Sequence, residues 1–250
     1  MSTPMIRITG LGKDRSQGGS VFTLEVPQFS VEPGELVAVV GASGCGKSTL
    51  LDILALVMAP TRAEDFGFRA GEADSEHDIR RLWRLGDEAS LAALRRDYLG
   101  YVLQTGGLLP FLSVRENIEL SARIRGCGPA GQRLYVLAER LGLEGCLDRM
   151  PGALSVGQRQ RVAIARALVH APRLVLADEP TAAVDKARAR AVMADLEALA
   201  RDEGVAVVLV THDVDLVSGH ADRTYTFDVV QTSENVTRST CYPLQQGVAA

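Results

Sequence analysis

Apolar positions in this chain fall into two patterns: short unbroken runs, and longer stretches with helical spacing. Leu36 to Val40 is a fully apolar run, as expected of a strand buried on both faces of a parallel sheet. Arg173 to Ala177 and Val205 to Val210 read the same way, with a helical stretch from Asp185 to Asp202 between them. That strand–helix–strand order predicts a right-handed parallel crossover. Tyr98 to Leu103 and Asp222 to Val229 add two more strands, and Ile6 to Thr9 and Val21 to Val26 predict an N-terminal sheet. Helices are predicted for Lys47 to Met58, Asp78 to Arg96 and Gly157 to His170, the last ended by Ala171-Pro172. Between Ser113 and Leu141 the pattern predicts two helices broken at Gly126-Cys127-Gly128-Pro129, with Ser113 and Glu116 as a capping box for the first. Ala59 to Ser75 is polar and reads as an irregular or partly hairpin surface insertion, and Gln231 to Ala250 as a loosely held tail.

The sum is an α/β domain over residues 1–230, interrupted by a helical insert at about 105–150, with a tail over 231–250. At 250 residues the chain can bury a substantial core, and 46% hydrophobic with 23% charged residues is a soluble globular balance. A net charge of −4 with no long basic run argues against nucleic acid as a partner. Met1 to Met5 carries no apolar signal core. Leu50 to Ala59 is interrupted by Asp52 and is short of the about 20 residues that cross a bilayer. Another chain would therefore do any crossing. Cys45, Cys127, Cys146 and Cys241 lack metal-ligand spacing, which suits a reducing compartment.

Gly41-Ala42-Ser43-Gly44-Cys45-Gly46-Lys47-Ser48 follows one of the buried strands and opens a helix. Glycines there let the backbone approach a phosphate, and successive N–H groups with the helix N-terminus face its oxygens. Lys47 adds a point charge, and the Ser48 hydroxyl is a candidate Mg²⁺ ligand. Asp178 and Glu179 end another apolar strand, where ligands bind in open parallel sheets. Leu154-Ser155-Val156-Gly157-Gln158 opens an apolar helix between these two sites, and a helix N-terminus with a serine hydroxyl is itself an anion site.

Taken in this order, from about Ile6 to Phe227, these motifs resemble the nucleotide-binding subunit of ATP-binding-cassette (ABC) transporters. The resemblance implies a P-loop NTPase fold of the ABC type: a RecA-like core, an N-terminal antiparallel β subdomain and a helical subdomain. It implies that Gly41, Ala42, Ser43, Gly44, Cys45, Gly46, Lys47, Ser48 and Thr49 hold the phosphates of ATP. Ser48, Gln104 and Asp178 would then hold Mg²⁺, and Glu179, Gln104 and His212 would be the catalytic residues. It implies that Ser155, Gly157 and Gln158 face the γ-phosphate bound by a second copy, with Ala182-Ala183-Val184-Asp185 crossing the interface of an ATP-sandwich homodimer. The segment 105–117, with Leu108-Leu109-Pro110 and Val114-Arg115-Glu116-Asn117, is similar to the branch serving lipoprotein release and macrolide efflux. There it would border the groove that receives an integral membrane permease. The subunit would sit on the cytoplasmic side, peripheral to the inner membrane. A cassette that signals to an envelope partner without transport would carry the same motifs.

Three positions depart from the family pattern. Lys13-Asp14-Arg15 stands where an aromatic residue usually stacks on adenine, leaving Arg15 or Phe22 to do so. Residues 59–75 are longer and more acidic than usual. Val156 replaces a glycine, and valine resists positive φ. Cys45, beside Lys47 at a helix N-terminus, is expected to favour its thiolate, so that alkylation inhibits and ATP protects.

Overall fold

The computed structural model describes residues 3–71, 76–126, 128, 130–182 and 186–244. Strands β1 (Ile6–Gln17) and β2 (Ser20–Val31) form a long antiparallel hairpin that turns at Gly18-Gly19, both at positive φ. Strand β3 (Leu36–Val40) is wholly buried, and its pleat divides it between two cores. Leu36, Ala38 and Val40 join the cluster that includes the helical insert, while Val37 and Val39 join the cluster on the other face. Helix α1 (Lys47–Leu54) packs on that second face. Strands β4 (Asp65–Phe68) and β5 (His77–Asp78) extend the sheet beyond β1.

Helices α2 (Ile79–Leu85) and α3 (Glu88–Tyr98) lead into β6 (Leu99–Val102). The insert follows as α4 (Val114–Arg125) and α5 (Gly131–Arg140). Helix α6 (Val156–Leu168) returns to the core, and Gly100 of β6 permits close packing there, since a Cβ would lie 2.2 Å from the Ala167 carbonyl oxygen. Strand β7 (Leu174–Asp178), helix α7 (Lys186–Glu203) and strand β8 (Ala206–Thr211) form the crossover read from the sequence. The short helix α8 (Val214–Val217) precedes β9 (Arg223–Ser233) and β10 (Val236–Pro243). Among the described residues this is one sheet, ordered β5-β4-β1-β2-β10-β9-β3-β8-β7-β6.

Several expectations need correction. Residues 236–243 are not a loose tail: β10 pairs antiparallel with β9 and parallel with β2, and so joins the two halves of the sheet. The stretch from 59 is not a surface insertion throughout, because β4 pairs with β1 and buries Phe66 and Phe68. The helix expected over 78–96 is two, since Gly86 ends α2 in the left-handed region and Asp87 caps α3 by accepting from Ser90 N. Helix α1 stops at Leu54, where Leu56 turns to φ +59°. The N-terminal strands extend through polar residues to Gln17 and Ser20, because cross-strand pairing sustains them there.

Candidate active site

The loop from Gly41 to Gly46 joins the end of β3 to the start of α1. Gly46 stands at φ +107° and makes no side-chain cap, so no capping side chain occupies the first amides of α1. Only glycine fits here: a Cβ would meet the Phe22 ring at 3.1 Å. The Lys47 ammonium folds back over the loop, donating to the carbonyls of Gly41 at 2.6 Å and Ala42 at 3.0 Å. It also lies 3.9 Å from Glu179 Oε1.

Glu179 directly follows β7 and is held at φ +45°, an uncommon region for a residue with a side chain. Its N–H donates to the Val210 carbonyl at 3.0 Å, and its own carbonyl accepts from Ala182 N at 3.1 Å. These bonds aim the carboxylate at Lys47 on one side and at His212 on the other, where Oε2 is 2.8 Å from His212 Nδ1. Burial pushes the Asp178 carboxyl above its ordinary range, and the charges of Glu179 and Asp52 push it the same way, opposed by Lys47. Burial also raises the Asp52 carboxyl. Neighbouring carboxylates at the end of the strand therefore favour a cation. Among the described residues no cluster of three or more His, Cys, Asp or Glu can hold a metal alone. The donors present are an exposed Ser48 hydroxyl, the Asp178 carboxylate and the exposed Gln104 amide. That set suits Mg²⁺, which keeps water and phosphate oxygens among its ligands.

Ser43, Gly44, Gly46, Lys47, Ser48, Thr49, Gln104, Asp178, Glu179 and His212 all line one cleft of about 960 Å³. The predicted phosphate, metal and catalytic residues are thus brought together. Gly41 and Ala42 act from behind through their carbonyls. Cys45 does not line the cleft, and its expected thiolate character is overturned. The thiol is buried, and desolvation raises its pKa despite the opposing Lys47 charge and backbone hydrogen bonds. Both candidates for the base, Arg15 and Phe22, line the cleft. So does Thr237 of β10, in the stretch expected to be a loose tail.

Ser155, Gly157 and Gln158 lie elsewhere, lining a second cavity of about 680 Å³ with Arg161, Arg188 and Asp195. Ser155 caps α6: its Oγ accepts from Gln158 N at 3.2 Å, and Gln158 Oε1 accepts from Ser155 N at 2.9 Å. Val156 is the first helical residue and is not among the described residues with positive φ. The backbone conflict expected of valine there does not arise. Ala182 lies just beyond β7, but Ala183, Val184 and Asp185 lie outside the described residues.

The segment 105–117 is organised by Asn117, the last residue of the Val114-Arg115-Glu116-Asn117 motif, whose side chain is fully buried. Its amide donates to the carbonyls of Leu109, Leu112 and Ser113 and accepts from Leu109 N at 2.8 Å. Arg166 of α6 holds the same segment by donating to the Gly106 and Gly107 carbonyls. The expected capping box of Ser113 and Glu116 is present. This fixed loop presents Phe111, which is 70% exposed.

A family model described as ABC transporter matches residues 24–182. The chain is 42% identical over 226 residues to the macrolide export ATP-binding/permease protein MacB of Bordetella avium, covering 89% of this chain and 32% of that protein. It is also 42% identical over 221 residues to the lipoprotein-releasing system ATP-binding protein LolD 1 of Rhodospirillum rubrum, covering 86% of this chain and 92% of that one. The chain thus spans about a third of the MacB relative and nearly all of the LolD relative. Among solved structures, the dimeric bacterial ABC transporter cassette MJ0796 superposes with a TM-score of 0.75 at 31% identity, covering 89% of this chain and 94% of that one. A dimeric post-hydrolysis state of the same cassette, bound to ADP and Pi, matches equally well.

Proposed function

We propose a specific task for this chain, which belongs to the ABC transporter family of ATPases: two copies close around ATP, hydrolyse it, and drive a separate membrane permease. The observation that carries this reading is the convergence of Lys47 and His212 on the Glu179 carboxylate, at 3.9 and 2.8 Å. The open start of α1 and the Lys47 ammonium suit the β- and γ-phosphates of ATP. Ser48, Asp178 and Gln104 would hold Mg²⁺, which supplies neutralisation of the phosphate charge. Glu179 would orient and polarise the attacking water, with its carboxylate fixed by the strained backbone beneath it. His212, exposed and tethered to Glu179, would reach the γ-phosphate.

Ser155, Gly157 and Gln158 complete the reaction only from a second copy, because they line a different cavity from Lys47. The dimeric state of the MJ0796 cassette supports that arrangement. Phe111 and the loop around it form the contact surface for the permease, and the names of the LolD and MacB relatives support lipoprotein release or efflux as the process. No helix among the described residues is long and apolar enough to cross a membrane. We place the chain peripherally on the cytoplasmic face of the inner membrane, held there by its partner.

Affinity purification from detergent-solubilised membranes tests the proposal. An integral membrane protein should co-purify and raise ATP turnover, and Phe111→Asp should abolish both effects while leaving basal turnover unchanged. Co-purification that survives Phe111→Asp would move the contact elsewhere on the molecule.

A further inference from the structure

Strand β10 reaches the wall of the cleft at Thr237 and the phosphate loop at Ser239. It pairs with β2 in parallel, placing Thr237 beside Phe22 and Ser239 beside Leu24. The β1–β2 register places Arg15 opposite Phe22 and Lys13 opposite Leu24. Residues directly opposite in a sheet share a face, so two cross-strand rows result: Arg15, Phe22, Thr237, and then Lys13, Leu24, Ser239. All three members of the first row line the cleft. In the second row Leu24 and Ser239 reach the phosphate loop, while Lys13 donates to the Ala59 carbonyl. Leu24 comes within 3.3 Å of where a Cβ on Gly46 would stand, and the buried Ser239 hydroxyl donates to the Cys45 carbonyl at 2.5 Å. The Phe22 ring also stands 3.1 Å from where that Cβ would lie, so the first row borders the loop too.

We propose that β10 is a nucleotide-specificity strand: Thr237 contacts the nucleoside beside Phe22 and Arg15, while Ser239 sets the height of the phosphate loop. The first row offers a flat apolar ring flanked by a guanidinium and a hydroxyl, a surface for a stacked base with a polar group at its edge. This distributes over three strands the base contact that a single aromatic residue would otherwise make. It also divides the strand's labour by position: Thr237 acts on the nucleoside, and Ser239 on the phosphates through the loop.

The inference rests on the reading of the cleft as a nucleoside-triphosphate site, and the experiment separates the two. Calorimetric titration of the full chain would compare ATP with inorganic tripolyphosphate, each with Mg²⁺. Tripolyphosphate should bind the unaltered chain, and failure to do so overturns the phosphate reading and this proposal with it. Thr237→Val should weaken ATP about fivefold, the scale of one neutral hydrogen bond, and leave tripolyphosphate unchanged. Thr237→Ser should restore ATP binding. Ser239→Ala should weaken ATP and tripolyphosphate by the same factor. Equal loss of both ligands in Thr237→Val, or loss of neither, would overturn the assignment of Thr237 to the nucleoside.

Discussion

Helix α1 starts at Gly46 with no side chain accepting from its first amides, whereas α6 starts at Ser155 with a closed capping box. Both termini concentrate the positive end of a helix dipole. The first has no side-chain cap, and its opening residues Gly46, Lys47, Ser48 and Thr49 all line one cleft. The second is already satisfied locally: Ser155 Oγ accepts from Gln158 N, and the Gln158 side chain answers at Ser155 N. The Ser155 proton remains available, because the hydroxyl spends only an acceptor pair on its cap. A phosphate brought by another copy can therefore be added without opening the box. On the proposed sandwich of two copies, the open terminus is the half that binds alone and the capped one the half that senses a partner.

The largest expected effect comes from the open half. Glu179→Gln should slow hydrolysis about a thousandfold, within the range for loss of a positioned base, while ATP still binds. The ATP-loaded chain should then accumulate as a dimer by light scattering, and a monomer saturated with Mg-ATP would break the division between the halves. Ser155→Ala should come next. It should cost about 1 kcal/mol of stability through the lost cap and lower hydrolysis at least tenfold, with ATP affinity of the monomer unchanged. Ser155→Asp separates the two roles, because aspartate restores the cap but repels a phosphate. Stability should return in that variant without the dimer. If dimerisation returns as well, the Ser155 terminus does not face phosphate.

The open half was the more legible of the two in the sequence, and the reason is physical. Glycines, a lysine and a serine at fixed spacing after an apolar strand leave the backbone few alternatives, and β3 follows its apolar run residue for residue. The cap at Ser155 is equally local. What escaped is non-local. Strand β10 is polar along much of its length and becomes a strand because β2, some two hundred residues earlier, supplies a partner. Thr237 therefore could not be placed in the cleft from its neighbours in the chain. The environment of Cys45 is non-local in the same way: proximity to Lys47 is visible in sequence, but the burial that outweighs it is a property of packing. Glu179 was found by its motif, yet its positive φ and its tether to His212 come from the fold.

Asp178 offers a smaller test of the open half. Its carboxyl is raised by burial first, then by Glu179 and Asp52, so the folded state holds the proton more tightly than the unfolded chain does. Without nucleotide, stability should be greater where Asp178 is protonated and should fall as pH rises through that raised pKa. Asp178→Asn removes the buried charge. Thermal melts of the nucleotide-free chain at neutral pH should show a rise of about 2 °C, with the gain vanishing in acid. The same variant should lose the Mg²⁺ dependence of ATP binding. A melting temperature that falls at neutral pH would mean that Asp178 already has a partner strong enough to offset its burial.

The smallest expected effect lies at the closed half. Val156 occupies the first helical position after Ser155, outside the positive-φ set, and is 40% exposed. Glycine there would relieve no backbone strain and would only loosen the first turn, at about 0.5 kcal/mol. Val156→Gly should therefore change ATP turnover less than about twofold, the size of such a backbone penalty, because the capping box and its free proton are untouched. The exposed isopropyl group sits beside Ser155, where on the proposed reading a partner's phosphate loop would approach. A large rise in turnover, with the monomer's ATP affinity constant, would locate the obstruction in that side chain. The closed half would then be gated by bulk at its surface, with its cap a bystander.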